Sequence, residues 1–484
     1  MAAHFERLSA LDRSFLAWET PTAHMHVACT MLFEAGPLRT LDGGLDVQTV
    51  RKAVAAALVD IPRYRQKLAR LPGTDSLFWV GDDRFSLDYH LRHTALPRPG
   101  GAEQLQQLSA WIMQQPLDRT RPLWEMWVVE GLAEDRFAVV SKVHHCMVDG
   151  VAGAELMQRL LSPDPQRPIT ECALPEPRPA PGTRALLASE LGHRAALPAS
   201  LLRAAARAAG PARLAERLRG FAEVLGRAVW PVTKAPWNGP LGPHRRLDWL
   251  ASDLAEMRAT SRRLGGTIND LVLATVAGAV RSALERAGVE PRDVRFRALA
   301  PVSVRSDDER GTLGNRVSLW VVDLPVGEAS ALGRLERIRV QTAVLKRSQS
   351  ALAAKLLADA AEWTSSALLS VGARAAMRLP AFNMIVTNVP GPQIPLFLAG
   401  ARLLEAYPVA PLFDGIGLNV ALMSYAGRLY WGLDADYDRM PDLAAFRRDL
   451  EGALRELLQT ARPRERRGAA RPQPPAGSAS PSSP

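Results

Sequence analysis

The chain has 484 residues, 47% of them hydrophobic, and a formal net charge of +10 at pH 7 carried mostly by arginine. That length and apolar content allow two substantial cores and exclude a chain that is disordered throughout. Three scattered cysteines, Cys29, Cys146 and Cys172, are too few for a disulfide framework, which favours a reducing compartment, and no nucleic-acid-binding motif accompanies the positive charge, so nucleic acid is not the anionic partner that the charge implies.

The opening MAAHFERLSALDRSF has no basic segment followed by an apolar run, so a secretory signal is not expected. Residues 1–162 then mix strands, predicted at His26–Phe33 and Arg136–Val143, with helices at Val47–Val59 and Ala102–Gln114. Arg136–Val143 alternates as a half-buried strand should, with Phe137, Val139 and Val143 on one side, and Val151–Leu161 has apolar positions at helical spacing. Residues 163–243 form a crossover. Pro163–Pro181 is too proline-rich for a regular element, and Thr183–Trp230 is an alanine- and arginine-rich helical stretch broken at Pro198 and at Gly210-Pro211. In it Leu214, Leu218, Phe221 and Leu225 make an apolar stripe with Arg213, Arg217, Arg219 and Arg227 off it. Such a helix either packs on the second lobe or rests on a lipid surface.

Residues 244–461 alternate again. Helices are predicted at Leu254–Leu264, Asn269–Ala287 and Asp442–Leu458, and strands at Arg295–Pro301, Arg316–Leu324, Phe382–Asn388 and Leu429–Ala435. No apolar run reaches transmembrane length, Leu271–Val280 being stopped by Arg281. Residues 462–484 are charged and then Pro/Ser-rich, with too little apolar content to fold. The alternation of strands and helices in both lobes predicts a pair of α/β domains.

Between the strand at Arg136–Val143 and the helix at Val151–Leu161 lies His144-His145-Cys146-Met147-Val148-Asp149-Gly150. A strand-to-helix loop presents side chains into a cleft. Histidine, with an unperturbed pKa of about 6.5, can accept a proton at neutral pH and return it within one turnover. Consecutive side chains on extended backbone face opposite sides, so one ring of the pair can be the base: His145 is the candidate and His144 its support. Asp149 fits a structural ion pair, with Arg305 as a candidate partner, or a helix N-terminal contact. Gly150 fits a backbone geometry that a Cβ would forbid. A structural histidine pair and a metal site are the other readings, and no third ligand at zinc-like spacing accompanies the two histidines.

The HHxxxDG pattern resembles that of the CoA-dependent acyltransferase superfamily. The chain as a whole is similar to the bacterial wax ester synthase/diacylglycerol acyltransferase family. Leu8–Val27 (LSALDRSFLAWETPTAHMHV) looks like the family's opening. Pro122-Leu123-Trp124-Glu125 resembles its PLW motif and Asn269-Asp270 its ND motif. Pro301–Arg305, Gly314-Asn315, Asn388–Pro392 and Gly415–Asn419 are further matches. The resemblance runs from about Leu8 to Leu458. It implies an α/β, two-lobed chloramphenicol-acetyltransferase-like acyltransferase fold with mixed sheets and the active site in a tunnel between lobes.

It also implies transfer of a long-chain acyl group from acyl-CoA to diacylglycerol or a long-chain alcohol, with His145 as general base, no acyl-enzyme, and no metal or other cofactor. On that reading Asn269 and Asp270 belong to the substrate-binding part of the site. Asn269 then either contacts the substrate or shapes the site locally, and Asp270 can equally be only an N-terminal helix charge. Trp124 is either a core aromatic or part of an acyl channel. The expected partners are acyl-CoA, the acceptor lipid and a lipid surface held peripherally, which would place the protein in the cytoplasm at the inner membrane face or on lipid droplets. The alternatives are a condensation-type enzyme acting on carrier-bound acyl groups and a non-catalytic lipid-surface protein.

Overall fold

The computed structural model describes residues 5–147, 157, 159–170, 174–175, 181–207, 232–303, 317–347 and 381–461. Asp149, Gly150, Arg305, the stretch Arg213–Trp230 and the tail 462–484 lie outside the described residues, as does most of the helix predicted at Val151–Leu161. In chain order the strands are β1 (Glu6–Arg7), β2 (His26–Glu34), β3 (Gln66–Arg70), β4 (Leu77–Gly81), β5 (Leu91–Ala95), β6 (Trp124–Leu132), β7 (Arg136–His144), β8 (Arg245–Asp253), β9 (Phe296–Ser303), β10 (Val317–Leu324), β11 (Met384–Pro390), β12 (Phe397–Leu398), β13 (Ala401–Val409), β14 (Leu418–Tyr425) and β15 (Arg428–Asp436). The main helices are α1 (Ala10–Trp18), α2 (Val47–Val59), α3 (Ala102–Gln114), α4 (Thr183–Arg207), α5 (Leu254–Arg263), α6 (Ile268–Arg286), α7 (Ala331–Arg347) and α8 (Leu443–Thr460).

Several helices begin where a side chain caps the free backbone donors of the first turn. Ser9 accepts from Asp12 N at the start of α1, Asp46 from Thr49 N at α2 and Asp442 from Ala445 N at α8. Helix α4 continues through Pro198, where a break is predicted; a proline removes one backbone donor and strains the turn before it, which a helix of this length survives. No single described helix is long and apolar enough to cross a membrane. Helix α6 is apolar for another reason: from Asp270 to Val280 it is buried, packed between α7, α8 and the second sheet.

Two six-stranded sheets carry the fold, ordered β12-β13-β2-β7-β6-β5 and β10-β9-β11-β14-β15-β8, with β1-β4-β3 as a small third sheet. Both large sheets are mixed, since β5 runs parallel to β6 and β11 runs parallel to β9 and β14. One core holds Phe33, Trp124, Phe137 and Val139, and the other Val272, Phe296, Trp431 and Phe446. The linear division at residue 244 does not follow the sheets: β12 and β13 come from the C-terminal half yet extend the first sheet beyond β2, pairing Leu403 with Phe33 and Val409 with Ala28. They cover an edge that β2 would otherwise leave open.

Strand β7 is buried on both faces rather than one. Phe137 and Val139 face the first core, while Lys142 on the opposite face is fully enclosed, donating to the carbonyls of Ile112 and Gln115 at the end of α3. Burial pushes the Lys142 ammonium down to about 8, offset in part by Glu125 at 3.5 Å.

Helix α3 also joins the lobes. Gln106 donates to Asp248 on β8 (2.8 Å), and Gln114 accepts from the Arg245 backbone N–H (3.2 Å). Where β13 crosses β15, Tyr430 Oη donates to Leu404 O (2.9 Å) and Gly432 lies against Pro408. A Cβ at Gly432 would stand 1.7 Å from Pro408 O, so only glycine fits there.

Candidate active site

Strand β7 ends at His144, and a 3₁₀ turn at His145–Met147 follows. The change of backbone at that point separates the rings. His144 is 1% exposed and pairs across the sheet with His26 on β2, whereas His145 keeps part of its surface open. The Cys146 N–H donates to His144 Nδ1 (3.1 Å), so the proton of the neutral ring sits on Nε2. That Nε2 lies 3.1 Å from Glu19 Oε1, a close contact although the ring N–H is not aimed along it.

Glu19 caps the C-terminus of α1 and is almost enclosed. Burial alone would raise its carboxyl. The His144 ring, the Arg119 guanidinium and the Met25 backbone N–H together hold it well below the usual carboxylate range. Arg119 is paired with Glu19 Oε2 and donates also to Leu16 O (3.3 Å). His26 Nε2 stands 3.9 Å from Glu19 Oε1, and its ring sits edge-on to His144 and stacked with His24. Burial pushes both His24 and His26 down, with Glu19 opposing the shift.

His145 is held differently. Its backbone N–H donates to Met25 O (2.7 Å), and its imidazole stacks on Phe15 of α1 with ring centroids 4.0 Å apart. Among the described residues its Nδ1 is buried without a hydrogen-bond partner. Burial pushes the imidazole down to about 4, so the ring is neutral at pH 7 with a lone pair available. Phe15 in turn meets Trp18 edge-on, and Trp18 meets Phe413 from the second half of the chain. An aromatic row therefore runs from His145 towards the loop before β14.

A cavity of about 370 Å³ opens beside this cluster, lined by Glu19, His24, His26, Arg119, Leu123 and His144 among others. It lies on the His144 side, and His145 is not in its wall. Among the described residues no group of three or more His, Cys, Asp or Glu side chains is arranged to hold a metal ion.

The remaining sequence candidates stand apart from the pair. Trp124 is a core residue. It is 1% exposed, donates from Nε1 to Tyr64 O (2.8 Å) and stacks on His90, whose Nδ1 meets Trp124 O. Asp270 closes a reciprocal cap with Thr267 and accepts from Thr342 Oγ1 (2.7 Å), which accounts for both of its oxygens locally. Asn269, in the first turn of α6, has a buried Nδ2 with no partner among the described residues. No described contact joins it to the histidines.

Sequence reasoning did not single out Phe15, Glu19, His26 or Arg119. The first three lie inside Leu8–Val27, and Phe15 and Glu19 are one helical turn apart, a spacing that puts them on the same side of α1. Nothing local signals that this side meets residues more than a hundred positions away.

Two mixed sheets in two lobes, with a fixed histidine and a desolvated neutral one at the end of a central strand, define an acyltransferase of the chloramphenicol-acetyltransferase-like type. The comparisons give the family. Residues 8–272 match the wax ester synthase/diacylglycerol acyltransferase catalytic domain and residues 313–458 the C-terminal domain of the same family. The chain therefore belongs to the wax ester synthase/diacylglycerol acyltransferase family.

It is 35% identical over 474 residues to a Mycobacterium tuberculosis protein named as a diacylglycerol O-acyltransferase, covering 94% of this chain and 91% of that one. A second Mycobacterium tuberculosis protein of that name is 32% identical, covering 96% and 98%. The wax ester synthase/diacylglycerol acyltransferase from Marinobacter aquaeolei VT8 superposes with a TM-score of 0.66 at 27% identity, covering 94% of this chain and all of that one. The first condensation domain of the calcium-dependent antibiotic synthetase shares the fold, with a TM-score of 0.56 at 16% identity over 95% of this chain and 97% of that one.

Proposed function

We propose that this acyltransferase moves a long-chain acyl group from acyl-CoA to diacylglycerol, a long-chain alcohol, or both, with His145 as general base. The observation that carries the reading is the state of His145: neutral, largely buried, and with an Nδ1 that has no hydrogen-bond partner among the described residues, beside a His144 whose Nδ1 lone pair already accepts from Cys146 N–H. His145 takes the hydroxyl proton as the alcohol oxygen attacks the thioester carbonyl. The C–S bond then breaks, and the same ring returns the proton to the departing CoA thiolate. The proton count closes without an acyl-enzyme or a metal step. General-base help of this kind supplies about 10²–10⁴-fold.

The tetrahedral intermediate also needs hydrogen-bond donors, and the unpartnered Asn269 amide at a helix start is the candidate for that part of the site. Asp149 and Gly150 are assigned to holding the loop after the histidines. The names of the relatives support the acceptor classes, and an acyl-CoA donor agrees with the C8-CoA complexes of a condensation domain that shares the fold. Incubating the protein with labelled palmitoyl-CoA and a panel of hexadecanol, diacylglycerol and short alcohols tests the reading. Ester formation with either lipid is expected; transfer to none of them overturns it.

The acceptors are nearly insoluble, so the enzyme must draw them from a lipid surface. The net charge of +10 supports peripheral attachment in the cytoplasm, to the inner membrane face or lipid droplets, with Arg213–Trp230 as the docking stretch. Co-sedimentation with anionic vesicles at low and high salt tests this. Binding that weakens with salt is expected, and absence of binding at low salt overturns it.

A further inference from the structure

We infer that Glu19 is the positioning residue of the histidine pair, holding His144 by its ring and His145 through the Met25 backbone. This rests on the reading of His145 as base. Glu19 Oε1 accepts from Met25 N (3.0 Å), and the carbonyl of the same Met25 accepts from His145 N (2.7 Å), so one residue separates the carboxylate from the backbone of the base. The same Oε1 lies 3.1 Å from His144 Nε2, while Cys146 N occupies Nδ1. The Cys146 N–H on Nδ1 selects one neutral tautomer, and the proton it leaves on Nε2 lies beside the Glu19 carboxylate. The His144 ring cannot take the substrate proton without giving up a partner.

The location argues against a purely local role. A helix C-terminus disfavours negative charge, and burial disfavours it further. Glu19 is at the C-cap of α1 with its side chain 10% exposed, and His144, Arg119 and the Met25 backbone N–H hold its charge there against burial. Phe15 and Glu19 leave α1 one turn apart, so this helix end sets the face of one ring and the tautomer of the other.

The test is steady-state kinetics of the full chain with palmitoyl-CoA and with both hexadecanol and dioleoylglycerol, for Glu19→Gln, Glu19→Asp and His145→Ala. Gln keeps the shape and loses the charge. A fall in kcat of about 10–100-fold is expected, on the scale of other partners that fix an imidazole's tautomer. The KM for palmitoyl-CoA should stay within about twofold and the melting temperature should stay near wild type, because the residue acts on the transition state and not on donor binding. Asp, which restores the charge on a shorter arm, should recover part of kcat.

Wild-type kcat in Glu19→Gln overturns the positioning role while leaving the base assignment standing. A parallel loss of kcat, donor affinity and melting temperature overturns it in favour of a structural one. Full turnover by His145→Ala overturns both readings. If Glu19→Gln does not fold, Arg119→Gln decides, since it loosens the same carboxylate from its other oxygen: a smaller kcat loss at unchanged KM supports the role, and unchanged kcat overturns it.

Discussion

Phe15 stacks on the His145 imidazole with centroids 4.0 Å apart and planes inclined by 24°, and this contact ties the first helix to the candidate base. The ring shields one face of the imidazole from water, and burial is the largest cause of the depressed His145 pKa. Phe15→Ala should therefore let water in and move the acid limb of the kcat/KM profile upward, toward about 6.5. Because Phe15 is only partly buried, the stability cost should stay below the ~3–5 kcal/mol of a core aromatic. The checks are a pH–rate profile and a thermal melt. Phe15→Leu should keep most of the stability and shift the limb less.

The two histidines should separate in mutants. His145→Ala is expected to lower kcat by about 10²–10⁴-fold with little change in palmitoyl-CoA affinity, since the ring acts on a proton. His144→Ala is expected to cost less in rate and more in melting temperature, because it strips a buried carboxylate of one partner and leaves Cys146 N unpaired. The reverse order of damage would move the base to His144, which, unlike His145, lines the adjoining cavity.

Much of the frame was legible in the sequence because periodicity reports burial. The helices at 47–59 and 102–114 have their predicted ends, and the strands at 26–34 and 136–144 extend theirs by one residue. β13 (ARLLEAYPV) carries no clear strand signal because its apolar positions do not alternate cleanly; a bulge near Leu403 and Glu405 breaks its register. The two-sided burial of β7 depends on α3 covering the far face, which local pattern cannot show. At the site, the adjacent histidines were visible as a motif. The carboxylate and the aromatic that hold them were not, because Glu19 and Phe15 act across more than a hundred residues of chain. Trp124 and Asp270 resemble family motifs, and the structure shows their side chains engaged in packing and capping.

Stability should fall as the solution is acidified from pH 6.5. Burial depresses His145 and His90 to about 4 and pushes His24 and His26 down as well. The unfolded chain, with imidazoles near 6.5, then binds more protons than the folded one between about pH 6.5 and 4, so acid favours unfolding across that window. No penalty remains above the unfolded value, where the rings are neutral in both states. Each ring held near 4 should cost about 2 kcal/mol at pH 5. Glu19, held low, adds its own loss only at still lower pH, as its carboxylate is protonated. Thermal melts from pH 8 to 4.5 should be level to about 7 and then drop. Asp434, which burial pushes up to about 7, takes up a proton on folding below that pH and offsets part of the drop. His90→Phe should flatten the profile relative to wild type, and an unchanged pH dependence in that variant would contradict the burial of the His90 ring.

The lobe interface should be intolerant of a methyl group at Gly432. A Cβ there would stand 1.7 Å from Pro408 O and 2.9 Å from Pro408 C, both backbone atoms that no rotamer change can move aside. Gly432→Ala must therefore push β15 away from β13 and disturb the neighbouring Tyr430–Leu404 hydrogen bond that joins the same strands. Overpacking of this kind costs about 1–3 kcal/mol or more, a large share of an ordinary domain's stability. Phe413, which meets Trp18 in the aromatic row leading to His145, lies in the loop that follows β13, so the strain should reach the site. The expected result is a lower melting temperature together with a reduced kcat at neutral pH, measured by calorimetry and the palmitoyl-CoA assay. A variant as stable and as active as wild type would show that the strands can separate without consequence for the site.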